Sequence, residues 1–327
     1  MTAWTENDQK QYHALTAAAG LVAPTDRTQI EVTGSDRAEL LHNFCTNDVR
    51  RLTPGQGCEA FVTDVRSRIL GHVHLFCGHD SLVLDTVAGQ AEALIAHFNR
   101  YVFREQVELH DRSRQWAALL LAGAHAAELL ARWSGSPPPS ETCSHATVAM
   151  DGRQVSLRRV EIAVPCAYLL SVARDDLAHV AAALIQAGAV ACEPAALEAA
   201  RLEAGFPWFG RDVTDKNLPH EVGRNNRAVC FTKGCYLGQE PIARIESLGH
   251  ANRQLVGVRW PSANPPAAET PLSVDGVEVG RVTSAAFSPR LNTALALAYV
   301  RRGHEQPATP LQTADGQAEV VELPLDR

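Results

Sequence analysis

The sequence lacks several features that define common functional classes. It has no apolar run approaching the roughly 18 residues that a membrane-spanning helix needs, and its first twenty residues carry acids and amides rather than the pattern of a signal peptide. Lysine occurs only at positions 10, 216 and 233, and the formal net charge is −7. Because neutralising phosphates requires a basic excess or stripe, we expect no direct nucleic-acid binding. We expect a cytoplasmic protein that does not bind membranes.

Common nucleotide and metal motifs are also missing. The sequence contains no GxxxxGK[ST], GxGxxG, GxSxG or HExxH pattern, which argues against P-loop kinases, Rossmann dehydrogenases, serine hydrolases and zinc proteases. Its eight cysteines are scattered and form no CxxC pair. They therefore define neither a zinc site nor a resident iron–sulfur cluster, and in the cytoplasm we expect them to be reduced.

The hydrophobic pattern changes along the chain. Up to about residue 250, strand-like alternation is mixed with helical periodicity, and Ser35 is placed to cap the helix in SDRAELLHNF. From residue 252 onward there are only short strands separated by Gly and Pro turns, which predicts a small antiparallel barrel. We therefore predict an α+β fold with a body over residues 1–250, divided into subdomains of about 1–115 and 116–250, and a β-barrel over residues 251–327.

Cys235 lies in a segment with the features of a reactive thiol. Gly234 and Gly238 permit a tight loop, and Pro241 favours a helix that starts at about Gly238. A helix N-terminus just beyond the thiol, together with the Lys233 ammonium, would favour the thiolate. The alternative is a small buried hydrophobic residue, a common fate of cysteine. No histidine or asparagine partner can be assigned, so a papain-like mechanism has no support.

Four segments carry a resemblance to a known family. KGCYLGQE (residues 233–240) matches the K-G-C-[YF]-x-G-Q-E signature of YgfZ-type proteins, and an eight-residue match is highly specific. FCTNDVRRLTPGQG (44–57) resembles their T-N-D-V-x-x-L segment, and RYVFREQVEL (100–109) resembles their Y-x-x-R-x-x-V segment. RLEAGFP (201–207) resembles an R-x-E-x-G-x-P segment shared with the glycine-cleavage aminomethyltransferases. The resemblance covers the chain from about residue 28 to 300.

The resemblance implies a fold, a cofactor and a cellular role. The implied fold is an aminomethyltransferase-like α+β body whose two subdomains surround a central cavity, followed by a C-terminal antiparallel β-barrel. The implied cofactor is tetrahydrofolate or a derivative. The implied role is the assembly or maintenance of iron–sulfur proteins, including tRNA-modifying enzymes, so that reduced folate and iron–sulfur client or assembly proteins would be the partners.

Four side chains are candidates for the folate site. The resemblance assigns Glu203 to the pteridine, and a carboxylate can accept two N–H groups from the 2-amino-pyrimidine edge; without the resemblance, a helix-surface glutamate near Arg201 is the better interpretation. Asn47 either lines the pocket or caps a turn. Glu240 either contacts the cofactor or complements the dipole of its helix. Arg244 either meets the glutamate tail of the folate or lies on a solvated helix face.

One element of the enzyme is missing. Aminomethyltransferases carry a G-G-x-x-D-D stretch whose aspartate assists attack on the folate. In the matching part of this chain Ser67 and Arg68 replace the glycines, and Gly71 and His72 replace the acids. Because general acid–base catalysis typically contributes about 10²–10⁴-fold, we expect no useful glycine-cleavage activity.

His72 and His74 alternate on the predicted strand and therefore point the same way. An H-x-H pair can bind zinc, but no third and fourth ligand occurs at suitable spacing. We predict hydrogen-bonded strand histidines and no metal site.

Three functions stay open. In the first, Glu203 anchors tetrahydrofolate in the central cavity and Cys235 supplies a redox-sensitive or nucleophilic thiol at its rim, in an accessory factor for iron–sulfur proteins whose catalytic status is undecided. The second is a folate-dependent aminomethyl or one-carbon transferase on another substrate, which GRDVTDKNLPHEVG (210–223) keeps open because it resembles the aminomethyltransferases. The third is a non-catalytic folate-binding module.

Overall fold

The strands of the protein form two open sheets and one closed barrel within residues 4–163 and 166–325, the part of the chain that the computed structural model describes. The side chains of residues 24 and 25 are outside this description. Helices pack against both sheets, and the barrel is formed by the C-terminal strands alone. The predicted α+β class and the C-terminal antiparallel barrel are confirmed.

Eight α-helices lie within the described residues. They are α1 (Glu6–Ala17), α2 (Arg37–Phe44), α3 (Ala91–Asn99), α4 (Ala126–Ser134), α5 (Leu177–Gln186), α6 (Pro194–Glu203), α7 (Asn225–Ala228) and α8 (Gln239–Leu248). α2 differs in its cap, because the N-cap is Asp36 and not Ser35. The Asp36 carboxylate accepts the backbone N–H of Gln106 at 2.7 Å, so contact with a distant loop decides where this helix starts. None of the described helices is long and apolar enough to cross a bilayer.

The first open sheet has five strands in the order β3-β4-β5-β2-β6. They are β2 (Arg27–Thr33), β3 (Gly57–Thr63), β4 (Ile69–Cys77), β5 (Ser81–Val87) and β6 (Glu108–Asp111). Alternation sorts their side chains: Ile30 of β2 and Leu84 of β5 pack in a core with α2 and α3, where Phe98 is completely buried. The opposite face carries polar groups such as Gln29 and Asp85, which point toward the second sheet.

The second open sheet has six strands in the order β11-β1-β7-β10-β9-β8. They are β1 (Gly20–Thr25), β7 (Trp116–Ala122), β8 (His145–Met150), β9 (Arg153–Val160), β10 (Ala167–Ala173) and β11 (Val190–Ala191). β1 pairs antiparallel with β7, with Leu21 opposite Leu121. The N-terminal strand therefore belongs with the second half of the body and crosses the division expected near residue 115.

The barrel closes in the order β12-β15-β14-β13-β16-β17. Its strands are β12 (Arg253–Arg259), β13 (Pro271–Val274), β14 (Val277–Ser288), β15 (Thr293–Arg301), β16 (Pro310–Thr313) and β17 (Gly316–Val321). β15 is buried on both faces: Ala296 and Ala298 fill the barrel interior, while Leu295 and Leu297 pack with Leu202 of α6. The period-two pattern of one strand thus joins the barrel to the body at the C-terminal end of α6.

Candidate functional site

Lys233 anchors the KGCYLGQE loop to the C-terminal end of α2. Its buried ammonium donates to the carbonyl oxygens of His42 at 2.5 Å, Cys45 at 2.7 Å and Asn47 at 2.8 Å. A cation at this position satisfies carbonyls that the helix leaves unpaired and complements the negative end of its dipole. Burial lowers the pKa of Lys233 to about 8. Its three hydrogen bonds go to backbone carbonyls, and its effect on the Cys235 thiolate stays a prediction.

The second half of the loop is held by the turn between β3 and β4. The Leu237 N–H donates to the Asn43 carbonyl at 2.8 Å, and the Leu237 carbonyl accepts the Thr63 hydroxyl at 2.7 Å. The Ser67 hydroxyl donates to the Gly238 carbonyl. Gly238 has a φ of +83°, and a Cβ there would lie 2.3 Å from the Asp64 carbonyl oxygen, so only glycine fits. The loop is therefore a fixed structure.

Cys235 is the exposed residue of this fixed loop. All eight cysteines lie within the described residues, each is free, and Cys235 is the only one that is exposed. α8 begins at Gln239 with Gly238 as its N-cap, close to the prediction. Three residues separate the thiol from the first helical residue, and dipole effects decay within the first turn. Exposure is therefore the property that distinguishes this sulfur.

Glu203 lies at a different place, where α1, the end of α6 and β14 meet. Its side chain is completely buried. Tyr12 Oη donates to Oε2 at 2.6 Å, Ser288 Oγ donates to Oε1 at 2.5 Å, and Arg290 Nε lies 3.7 Å from Oε2. A carboxylate has about four acceptor positions, of which the two hydroxyls occupy two, and the Arg290 guanidinium lies close to a third. The Trp4 ring packs beside Tyr12, with 6.4 Å between the two ring centroids.

A cavity of about 540 Å³ opens beside Glu203, between the body and the barrel. Ala204 and Gly205, which follow Glu203 directly, form part of its wall. Arg224 and Arg227 line it from the body, and β12 and the C-terminal segment line it from the barrel. We call this space the junction cavity. The Glu203 carboxylate lies behind the wall of this cavity, and Arg224 and Arg227 line its surface.

Arg224 also connects the junction cavity to a buried acid–histidine pair. The Glu59 carboxylate accepts both Nε and Nη2 of Arg224, the latter at 2.6 Å, and lies 2.7 Å from His72 Nε2. Burial alone would raise the pKa of Glu59, but the guanidinium and the histidine hold it well below its ordinary value. The ring of Phe206 stacks on His72 with 5.3 Å between centroids. No local pattern marks this cluster, since Glu59 and Arg224 are 165 positions apart.

The two histidines of β4 point the same way, as predicted, and their ring centroids are 6.3 Å apart. His72 has a hydrogen-bonding partner in Glu59, and His74 stacks between Phe76 and Phe206. Within the described residues, no group of three or more His, Cys, Asp or Glu side chains is arranged to hold a metal ion.

The remaining sequence candidates are separated from the junction cavity. Asn47 Nδ2 donates to the carbonyls of Glu59 and Arg227, so this side chain fastens a turn. Glu240 and Arg244 are exposed on α8. None of these three residues lines the junction cavity, and the same holds for Cys235 and for Glu203 itself. A single chamber with the acid inside and the sulfur at its mouth is thus not what the fold builds.

Comparisons with known proteins agree with this architecture. Residues 1–233 match the GCVT N-terminal domain, and residues 253–326 match the glycine cleavage T-protein C-terminal barrel domain. An aminomethyltransferase of Symbiobacterium thermophilum is 28% identical over 97% of this chain and 89% of its own length, and one of Thermus thermophilus is 29% identical over 91% and 84%. The crystal structure of the glycine cleavage system aminomethyltransferase T from Bartonella henselae has the same fold, with a TM-score of 0.83 at 24% identity over 97% of this chain and 89% of that one. The chain belongs to the glycine cleavage T-protein family, whose members bind tetrahydrofolate.

Proposed function

We propose that this protein binds tetrahydrofolate at the junction cavity and acts as a YgfZ-type accessory factor for iron–sulfur proteins, with Cys235 as its functional thiol. The observation that carries the proposal is the KGCYLGQE loop: Lys233 and Gly238 fix it on both sides, and Cys235 is left exposed. A structural cysteine would be buried, as Cys45 is. Since fixing a loop costs conformational entropy, an exposed thiol on a fixed loop indicates presentation to another molecule.

The residues around the junction cavity fit the cofactor. The Glu203 carboxylate lies behind the wall formed by Ala204 and Gly205, and it is the proposed partner of the amino-pyrimidine edge of a pterin. Arg224 and Arg227 suit the anionic glutamate tail. The volume lies within the range of about 300–1,000 Å³ that small-molecule sites occupy. When bound, the folate supplies a carrier for a one-carbon unit.

The segment that resembles the aspartate-bearing stretch of the glycine-cleavage enzyme has different residues and contacts here. Gly71 and His72 occupy the positions of the two acids, and His72 is already paired with Glu59. The glycine that precedes them in the enzyme is Ser67 here, which adopts a φ of +62° and donates to the Gly238 carbonyl. This segment therefore supports the cysteine loop.

Genetic complementation tests the proposal. In a strain lacking its own copy of this gene, we expect the wild-type chain to restore the activity of an iron–sulfur enzyme that thiolates tRNA, measured as thiolated nucleoside content. Cys235→Ser should fail, and Cys230→Ser, which changes a half-buried thiol five residues earlier, should succeed. Restoration by Cys235→Ser would remove the thiol from the function. Failure of the wild type would remove the iron–sulfur role.

A folate-dependent one-carbon transferase acting on another substrate is the second candidate. The buried Glu59–His72 pair beside the junction cavity favours it, as do the names of the relatives, which are called aminomethyltransferases. Incubation with ¹³C-methyl-labelled quaternary ammonium compounds and tetrahydrofolate tests it by NMR, because the methyl group can pass to the folate with release of the tertiary amine and a proton and without an oxidant. A labelled methyl-tetrahydrofolate that disappears with Glu59→Gln would support the transferase.

A further inference from the structure

A second cavity, of about 530 Å³, lies between the two open sheets. Strands β4 and β5 form one wall, and β7 to β10 form the other. Among the described residues, it shares no lining side chain with the junction cavity. We call it the intersheet cavity. Neither the T-protein family match nor the proposed function gives it a role.

The floor of the intersheet cavity carries an excess of buried positive charge. Arg158 lines the cavity with 4% of its side chain exposed, and Arg27 lies behind it with 3% exposed. Both guanidinium groups share a single carboxylate, that of Asp85, at 3.1 Å from Arg158 Nη1 and 2.5 Å from Arg27 Nη2. Because an uncompensated buried charge is costly, a second anion at this place would be stabilising.

Two hydrogen-bond donors beside the cavity also lack acceptors. Arg158 donates through Nη1 to Gln29 and Asp85 and through Nε to Ser156, but Nη2 has no acceptor within the described residues. Gln29 accepts Arg158 and Ser171 through Oε1, and its completely buried Nε2 has no partner in that same part of the chain. Buried donors are normally paired. The missing groups are thus an acceptor and a negative charge, which a carboxylate supplies together.

The rest of the lining is mixed, because it contains the Arg153–Asp176 ion pair and several hydroxyl groups as well as apolar and aromatic side chains. Phe76, Val83, Trp116 and Val172 line the cavity, and the Arg158 guanidinium lies 5.0 Å from the centroid of the Phe76 ring. A ligand that carries its carboxylate to Arg158 would therefore place its remaining atoms against aromatic and branched side chains.

We propose that the intersheet cavity is a binding site for a small aromatic carboxylic acid, whose carboxylate pairs with Arg158 and accepts the free donors of Arg158 and Gln29. The ring of the acid packs against Phe76 and Trp116. This site is separate from the folate site and does not depend on it.

Calorimetric titration of the full-length protein with benzoate tests the proposal, with benzamide as the neutral probe of the same shape. We expect saturable benzoate binding and at least tenfold weaker binding of benzamide. Arg158→Met should weaken benzoate at least tenfold. Thr147→Trp, at the exposed rim of the cavity, keeps Arg158 in place and should weaken it similarly, whereas Ala146→Trp, exposed on the same strand but outside the cavity, should not.

Three results would overturn the proposal. The first is the absence of saturable benzoate binding to the wild type, and the second is equal affinity for benzoate and benzamide. The third is loss of benzoate binding in saturating tetrahydrofolate, since the acid at this site would then be the tail of the folate itself. Tetrahydrofolate affinity should be unchanged in Thr147→Trp, so this site and the folate site can fail independently.

Discussion

His72 Nε2 lies 2.7 Å from Glu59 Oε1, on the strand where the sequence resemblance places the acids of the glycine-cleavage enzyme. The same carboxylate is held from its other side by Arg224. Glu59 comes from the neighbouring strand, so its negative charge is paired twice before any substrate arrives. In place of a free acid, this part of the protein holds a cluster in which Glu59 is paired with both His72 and Arg224.

We therefore expect no enzymatic formation of methylene-tetrahydrofolate from an aminomethylated lipoyl carrier protein. The aminomethyltransferase of Thermus thermophilus serves as the positive control in the same assay. Loss of a general acid–base group alone is typically worth about 10²–10⁴-fold in rate. A rate within tenfold of the control would contradict the prediction and restore the enzyme's mechanism to this chain.

Glu203→Ala should weaken tetrahydrofolate binding at least tenfold, or about 1.4 kcal/mol. The variant removes the acceptors and leaves the hydroxyls of Tyr12 and Ser288 without a partner, so circular dichroism has to show that it folds. Glu203→Gln keeps the volume and one acceptor oxygen and should also lose affinity. Glu92→Ala, on the exposed face of α3, is the control for removing a carboxylate. Unchanged affinity in both Glu203 variants would take this residue out of the site.

Cys235 should react with iodoacetamide faster than the other seven cysteines. The thiolate displaces iodide, and burial opposes thiolate formation elsewhere, raising the pKa of Cys45 and Cys143 to about 12. Mass spectrometry of tryptic peptides after short labelling times measures each site. Cys230, which is half-buried and lies five residues earlier, is the closest internal comparison. Labelling of Cys230 at the same rate as Cys235 would refute a distinct thiol.

Lys233→Met should destabilise the protein and loosen the cysteine loop. The substitution leaves three carbonyls at the end of α2 without their donor, and each buried unpaired group costs about 1–3 kcal/mol. We expect a loss of at least about 2 kcal/mol in urea unfolding and faster proteolysis within residues 230–240. Lys10→Met, an exposed lysine on α1, is the control. A stable variant with an intact loop would show that the ammonium is dispensable.

The role of Lys233 shows what the sequence could not give. Its neighbour in sequence is Cys235, but its acceptors lie 186 to 191 positions away at the end of α2. Local sequence patterns predicted the loop, with its glycines, and the helix that follows. They could not predict which distant carbonyl groups the Lys233 ammonium binds, and those contacts determine its structural role.

The barrel and Glu203 show the same difference between features that depend on local sequence and features that depend on distant residues. The barrel was predictable because alternation along each strand is a local property, as the two faces of β15 show. The motif also singled out Glu203. Its partners Tyr12 and Ser288 come from α1 and from the barrel, 191 and 85 positions away, and neither carries a local signal. The sequence therefore singled out this glutamate as a candidate and could not show which distant residues surround it.

His74 should make the stability of the protein depend on pH between about 4 and 6.5. Burial lowers its pKa to about 4, against the ordinary value of about 6.5, and the charges of Glu59 and Asp85 only partly oppose His72 and Arg27. In this window the unfolded chain binds a proton that the folded chain does not, so the free energy of unfolding falls as the pH falls. Each pH unit is worth about 1.4 kcal/mol, or about 2 kcal/mol between pH 6.5 and 5.

His74→Phe removes the titrating group and keeps a ring stacked between Phe76 and Phe206. Urea unfolding at pH 7 and pH 5 should show that this variant loses about 2 kcal/mol less than the wild type on acidification. His13→Ala, at an exposed position of α1, should keep the wild-type dependence. If His74→Phe lost as much stability as the wild type, the acid sensitivity would come from other groups, and the stacked histidine would be charged in the folded protein at pH 5.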